Sequence, residues 1–450
     1  MYDEAYERPG VPRAHYADLL ADLRGTDLRE LAEQAADWVD VYGVTFAGAP
    51  FAIDPVPRVL TAAEWSELEA GLVQRVRALN AFVRDVHGPR AIVEAGVVPP
   101  VLVASADHHE PAMAGMAEHE ANPIAVAGLD VVRDPDGRFL VLEDNLRTPS
   151  GVAYAAAARQ ASEALFPERP PLRDVSCGFD LLGAALRAAA DGVEDPFVVQ
   201  VSDGPGNSAW YEHQAVSERL GIPLVGVDDL DVDDGGLVAC VDDEQRPVDV
   251  VYRRTNDERL IDADGRPTPL GAVLVEPLRR GRVACANAFG AGVADDKLAH
   301  AYVERMIDFY LGQEPLVRSV PTFDLADPAA REEVLDRIDE MVVKPRSESG
   351  GEGVVIGPHA AGEDRERTIR AIEEDPEAFV AQETVWLSRH PTIVDGRLEP
   401  RHVDLRAFAF VIGERVAALP GGLTRVALDP GALVVNSSQD GGAKDTWVLT

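Results

Sequence analysis

Lysine is nearly missing from this sequence: only three of its 42 basic residues are lysines, and the others are arginines. Where arginine has displaced lysine almost everywhere, a retained lysine marks a place that needs a compact ammonium rather than a planar fork. Cysteine is scarce as well. Cys177, Cys240 and Cys285 share no C-x-x-C spacing, which argues against a disulfide framework and a structural zinc site. No apolar run reaches the about 18 residues of a membrane span, and the acidic start Met1-Tyr2-Asp3-Glu4 lacks the apolar core of an export signal. Positive charge is outnumbered, with 78 acidic residues and a net charge of −36. So acidic a surface repels nucleic acid and anionic membrane. A hydrophobic content of 46% is nevertheless that of a folded chain. The expectation is a soluble, cytoplasmic protein adapted to a salt-rich cytoplasm, with acidic blocks such as 228–234 and 363–366 read as solvated surface.

A length of 450 residues suggests two to four domains. An N-terminal helical region is expected over 1–90. In it Thr61 and Glu64 make a capping-box pattern, and Leu68, Leu72, Val76, Leu79 and Val83 recur at helical spacing, so that 61–86 reads as a scaffold helix. The piece 91–166 holds two strand-like runs, 124–132 and 138–142, flanking the turn Asp134-Pro135-Asp136-Gly137, a hairpin pattern. Beyond the proline-rich stretch 166–171, helix and strand alternate over 172–295, predicting a small parallel-sheet domain. Its loop glycines Gly204 and Gly206 do not form G-x-G-x-x-G and read as a tight turn. The remainder, 296–450, forms the last unit. No G-x-x-x-x-G-K-[ST] loop, serine-hydrolase motif or internal repeat is visible.

Two of the three lysines stand in segments suited to phosphate. Lys297 ends Gly290-Ala291-Gly292-Val293-Ala294-Asp295-Asp296-Lys297, and Lys344 lies in the strand-like run Met341-Val342-Val343-Lys344-Pro345, just before a small, polar segment. Asp130 and Glu143 fall at opposite ends of the hairpin and so come close in space. Glu143 and Asn145, two apart, share a strand face. Two carboxylates and an amide oxygen of this kind suit Mg²⁺ bridging nucleotide phosphates. Arg253 and Arg254, at a strand end, are candidates to clamp a substrate carboxylate. Asp107-His108-His109-Glu110 with His119 has zinc-type ligands at a spacing that fits no familiar zinc site. Lys444 is a further cation whose place could be the substrate side.

The Asp130…Glu143-x-Asn145 arrangement, followed by Arg147-Thr148-Pro149-Ser150-Gly151, resembles the metal-binding end of the ATP-grasp fold of D-alanine:D-alanine ligases and glutathione synthetases. Lys297 and Lys344 resemble that fold's nucleotide-contacting lysines, and Ser349, Gly350, Gly351 and Gly353 its phosphate-covering loop. Glu352 within that loop is a departure from an anion-binding pattern. Residues 379–383, with Gln382 and Glu383, look like the hinge strand at adenine and ribose. Arg406, Arg425, Asn436 and Gly441-Gly442 resemble phosphate- and substrate-side strands. In an ordinary ATP-grasp chain the metal-binding piece comes last. Here it comes first, so the chain is similar to the circularly permuted ATP-grasp type 2 proteins from about residue 51 to the C-terminus.

The resemblance implies an α/β, circularly permuted ATP-grasp fold with a small parallel-sheet domain and N-terminal helices. It also implies ATP and Mg²⁺ (two ions, with Mn²⁺ as a substitute) as cofactors, and a carboxylate and an amine, small molecules or peptides, as substrates. Asp130, Glu143 and Asn145 would hold the metal. Lys297, Lys344 and the loop glycines would hold phosphate, Gln382 and Glu383 the base and ribose, and Lys344, Arg406 and Arg425 the reacting groups. Arg147, Ser150, Arg253 and Arg254 would meet substrate. The activity implied is carbon–nitrogen ligation through an acylphosphate. The alternatives are a nucleotide-binding partner without turnover and a phosphoryl transferase that stops at the acylphosphate.

Overall fold

The computed structural model describes residues 1–115, 122–256, 259–346, 353–429 and 441–450. Near the N-terminus, helix α1 (Leu28–Tyr42) begins at Asp27, whose carboxylate accepts the Arg29 and Glu30 N–H groups, satisfying donors that a helix start leaves unpaired. A two-stranded hairpin, β1 (Thr45–Phe46) and β2 (Ala49–Pro50), follows. Helix α2 (Ala62–Val86) carries the expected capping box between Thr61 and Glu64. Its apolar stripe, Leu68, Leu72, Val76, Leu79 and Val83, is buried as the spacing requires.

Strands β3 (Val126–Arg133) and β4 (Phe139–Asn145) form the expected antiparallel hairpin. Helix α3 (Val152–Leu165) follows the turn 146–151 that leaves β4. The next unit is a four-stranded sheet containing β5 (Val198–Ser202), with helix α4 (Trp210–Leu220), and β6 (Val250–Arg254). Its pairings are all parallel, with the short strands Leu224–Val225 and Ala284–Ala286 at its edges. A second four-stranded sheet, antiparallel, is built on β7 (Met341–Pro345) and β8 (Phe379–Glu383).

The remaining strands, β9 (Arg397–Ile412), β10 (Leu423–Val426) and β11 (Gly442–Lys444), complete a sheet of eight strands among the described residues, in the order Arg318–Ser319, β4, β3, β9, β10, β11. Two further strands, Arg389–Val394 and Arg415–Ala418, pair with β9 off that path. The neighbours β3 and β9 come from distant parts of the chain: Asp130 and Arg406, side by side across the ladder, are 276 residues apart. This is the permuted order expected from the sequence.

Along β9 the side chains alternate between faces. Leu405, Ala407 and Ala409 join the core under α2, with Leu72, Val76 and Leu79. Phe408 and Phe410 join a second core with α3. Continuing the second face toward the start of β9 brings Arg406 and then Asp404, so one side of the sheet passes from aromatic to charged within four residues.

Candidate functional site

The charged patch of the sheet is assembled by register. Asp130 on β3 lies opposite Glu143 on β4 and, on its other side, opposite Arg406 on β9. Asp404 on β9 lies opposite Arg425 on β10. Gly128, opposite Asn145, leaves room for the turn after β4: a Cβ there would sit 2.8 Å from the Pro149 Cβ. The turn therefore lies directly on the sheet face.

Asp130 differs from its expected role as an open metal ligand. Its two oxygens accept from Arg406 Nε and Nη2 at 2.7 and 2.8 Å, and Arg425 Nη2 lies 2.9 Å away. Arg425 also forms a fork with Asp404. Burial alone would raise the Asp130 carboxyl, but the two guanidinia outweigh it and hold it below the usual range. Asp404 is raised by burial, despite Arg425. Asp130 and Asp404 thus act as a frame that orients Arg406 and Arg425.

At the other end of the patch the two lysines come together. Glu143, Lys297, Lys344, His300 and Gln382 line one narrow crevice. Burial lowers the Lys344 pKa, with Lys297 adding to the effect and Glu143 and Asp130 opposing it. Asp296 caps the turn that starts at Lys297 and forms a two-point ion pair with Arg346, at 3.1 and 2.9 Å, which ties the residue just after β7 to the start of that turn. Gln382 donates to the Leu142 carbonyl at 3.2 Å and to Thr322 Oγ1 at 2.9 Å. Glu383 sits at the edge of a larger cleft of about 1040 Å³ that His300 and Thr322 also line, and it pairs with Arg337 at 3.1 Å. Gly353 follows β7 with φ 67°. Ser349, Gly350, Gly351, Glu352, Asn436 and His119 lie outside the described residues.

Beneath the crevice, Arg75 reaches up from α2 and grips Asp144 with two bonds of 2.6 and 2.7 Å, while His300 Nδ1 lies 2.8 Å from the same carboxylate. Burial would raise Asp144, but Arg75 and His300 hold it well below the usual carboxylate range. Burial lowers the His300 pKa, with Asp144 opposing the effect. The Nε2 of His300, buried and without a hydrogen-bond partner among the described residues, belongs to a side chain that lines the crevice. The helix expected as scaffold therefore also braces β4 from below.

The turn after β4 frames a second cavity, of about 220 Å³, whose lining includes Asn145, Arg147, Ser150, Arg406, Arg425 and Tyr154. Arg254 supports this turn rather than facing the cavity. It donates to the Pro149 carbonyl at 2.9 Å, to Ser150 Oγ, and to Glu212 at 3.1 Å. Glu212 in turn accepts the Gly151 and Ala153 N–H groups at the start of α3. Arg253 is buried with its guanidinium 4.4 Å from the Phe289 ring centre. The expectation of a carboxylate clamp is thus not what the fold builds from these two arginines: the ladder of β6 sends them into the protein.

Lys444 is likewise structural. It is fully buried, paired with Asp54, and donates to the Val56 and Pro391 carbonyls at 3.3 and 3.2 Å. In the histidine loop, Glu110 accepts two backbone N–H groups and His108 lies 2.7 Å from Arg147. Among the described residues no group of three or more His, Cys, Asp or Glu side chains is placed to hold a metal.

Sequence reasoning gave Asp404 and Asp295, which lie within its motifs, no role of their own, and passed over His300 and the aromatic wall Phe46, Phe51 and Tyr154. Asp404 carried a signal, since it alternates with Arg406 on one strand face. The aromatic residues carried none, because no periodicity links a two-residue strand to a distant helix.

Comparison with known proteins agrees with this architecture. The model of the circularly permuted ATP-grasp type 2 family matches residues 57–427. A Frankia alni protein named "Putative glutamate--cysteine ligase 2-3" is 43% identical over 99% of the chain, which spans about half (54%) of that relative's length. An uncharacterized Synechocystis protein is 41% identical over 100% of the chain and 97% of its own length. An uncharacterized Mycobacterium tuberculosis protein is 41% identical over 100% of the chain and 84% of its own length. Among solved structures, a glutathione synthetase-like effector from Globodera pallida in apoform covers 94% of this chain and 98% of its own, with a TM-score of 0.63 at 12% identity, a likeness of fold. The match of the family model over most of the chain and the fold it describes lead to one assignment: the chain belongs to the circularly permuted ATP-grasp type 2 family.

Proposed function

We propose that the protein is an ATP-dependent carboxylate–amine ligase working through an acylphosphate. Membership of the family supports ATP-dependent ligase chemistry in general. The observation that carries the finer reading is the arrangement along β4: a crevice where Glu143 meets the two lysines, and beside it a small cavity that Asn145 lines with the two carboxylate-held arginines.

In this reading a substrate carboxylate oxygen attacks the γ-phosphorus of ATP, the bond to the β-phosphate oxygen breaks, and ADP leaves. The nitrogen of an amine then attacks the acyl carbon, phosphate leaves, and the amine proton passes to solvent. Neither step needs a covalent bond to the protein. What the chain supplies is fixed charge where negative charge develops. Lys344 and Lys297 face the phosphates. Arg406 and Arg425, held by Asp130 and Asp404, need no reorganisation to meet the acylphosphate. Glu383 borders the larger cleft, proposed for base and ribose, and Gln382 lines the crevice with the lysines.

Glu143 and Asn145 fit Mg²⁺, which takes one or two protein oxygen ligands and leaves its remaining sites to phosphate and water. When bound, the ion would neutralise charge on the phosphoryl oxygens. Ser150 and Arg147, on the cavity wall, are the proposed substrate contacts.

The test is a reaction with ATP, Mg²⁺ and a pool of amino acids and small peptides in concentrated KCl, read by mass spectrometry. The expected product has the mass of two pool members less water, with ADP released in step. ADP release that is indifferent to added amine, with no condensed product, would overturn the ligase reading. Glu143→Gln and Asn145→Ala are expected to lower turnover on the order of 100-fold or more without unfolding the protein.

A further inference from the structure

We infer that the acid activated at this site is a small carboxylate bearing an apolar side chain, received by the cavity to whose wall the N-terminal hairpin contributes Phe46. The inference rests on the ligase reading for which group reacts, and on the cavity itself for which side chain fits.

The cavity lining is of two unlike kinds. One is Arg406 and Arg425, each with Nε and Nη2 committed to carboxylates of the protein and each lining the space. The other is aromatic: Phe46 on β1, Phe51 just beyond β2, and Tyr154 on α3. These three form one wall: the Phe51 and Tyr154 ring centres are 4.6 Å apart, and Phe46 meets Tyr154 edge-on at 5.9 Å. Tyr154 Oη donates to the Thr45 carbonyl at 2.9 Å, so its hydroxyl is already used and its ring is what remains for a ligand. Leu423 and Pro149 add further carbon.

The hairpin is fixed in place. The Ala47 N–H donates to the Ser208 carbonyl at 2.8 Å, joining it to the loop before α4, and Ser208 itself lines the cavity.

The lining holds a single carboxylate, Asp295. Its Oδ2 accepts the Leu146 and Arg147 N–H groups at 2.6 and 3.2 Å and pairs with Arg147 at 3.5 Å. Arg147 also lies 2.7 Å from His108. That one carboxylate is left to answer the α-ammonium of an amino acid, so a basic side chain would have no counter-ion of its own, and an acidic one would meet aromatic carbon. Burying either charge unpaired is costly, whereas each apolar methylene buried there is worth roughly fourfold in affinity. A volume of about 220 Å³ is below the usual range for larger ligands, which points to a single acid of amino-acid size.

The experiment is calorimetric titration of the whole protein, holding Mg²⁺ and a non-hydrolysable ATP analogue, with leucine, phenylalanine, glutamate and lysine, alongside ATP reactions in which hydroxylamine traps acylphosphate as hydroxamate. Leucine or phenylalanine is expected to bind at least tenfold more tightly than glutamate and lysine. Phe46→Ala is expected to weaken leucine at least tenfold while leaving the affinity for the nucleotide analogue unchanged. The wild-type series carries the test even if that variant folds poorly. Glutamate or lysine binding as tightly as leucine, or no acid binding at all, would overturn the inference. Selective binding of the apolar acids without hydroxamate or ADP would uphold the cavity's selectivity and overturn the ligase reading instead.

Discussion

Lys344 is the residue at which the need for lysine can be weighed against the chain's bias for arginine. Most surface lysines could become arginine at little cost in such a protein. In the crevice beside Glu143 and Lys297, a compact ammonium has room that a planar fork lacks. Lys344→Arg is expected to weaken nucleotide binding or turnover at least tenfold, about 1.4 kcal/mol, and Lys297→Arg less. ATP titrations at fixed KCl check this, and unchanged curves for both would return the lysines to chance survival. The third lysine behaves oppositely. Lys444→Leu removes the partner of buried Asp54, and breaking a buried pair from one side costs about 3–5 kcal/mol. Thermal unfolding should move sharply down while the folded fraction keeps its ATP affinity. A loss of ATP affinity in folded protein would place Lys444 in the site after all.

At the scale of elements, α2 does more than fill a core. Its Arg75 fastens Asp144, the residue between Glu143 and Asn145, from beneath the sheet. Arg75→Leu is expected to cost about 3–5 kcal/mol of stability by stranding Asp144. In protein that remains folded, it should also raise the KM for Mg·ATP, because β4 loses its brace. A stability loss with unchanged KM would confine Arg75 to the core. The sequence made α2 legible through its capping box and apolar stripe, and the hairpin β3–β4 through its Asp-Pro-Asp-Gly turn, because those signals are local. The order of the ATP-grasp pieces was legible from motifs. The use of Arg75 was not, since a charged residue on a helix ordinarily reads as a solvated one. Nor was the inward turn of Arg253 and Arg254, which β6 imposes through contacts with Glu212, Pro149 and Phe289. Asp130 misled for a related reason. Strand spacing brought it to Glu143, but only the pairing of β3 with β9, and of β9 with β10, brought it the arginines.

Across the whole molecule, buried ionisable groups set how stability depends on pH. Burial holds His87, His300 and His390 below the ordinary histidine value, and burial with Arg254 holds His213 down to about 3. Below about pH 6.5 the unfolded chain takes up protons that these folded histidines refuse, so stability is lost as pH falls through that value. Glu64, lowered to about 2 mainly by Arg133 against the cost of burial, and the lowered Glu4, Asp130 and Asp144 contribute stability above their ordinary range. That contribution disappears as pH falls toward 2. Asp404, raised by burial, works the other way as one group against many. Urea midpoints in molar KCl, where repulsion between surface charges is screened, should therefore fall steadily from pH 7 to pH 4. A midpoint flat over that interval would contradict the burial of these groups. The long strand β9 has a consequence for synthesis. Its partner β3 emerges from the ribosome 276 residues earlier, at about 5–20 residues per second a wait of roughly 15 to 55 seconds. Throughout that interval one edge of β3 has no mate and can pair with a neighbouring nascent chain, so the permuted order gives the cell's holding chaperones a task that begins long before the nucleotide site exists.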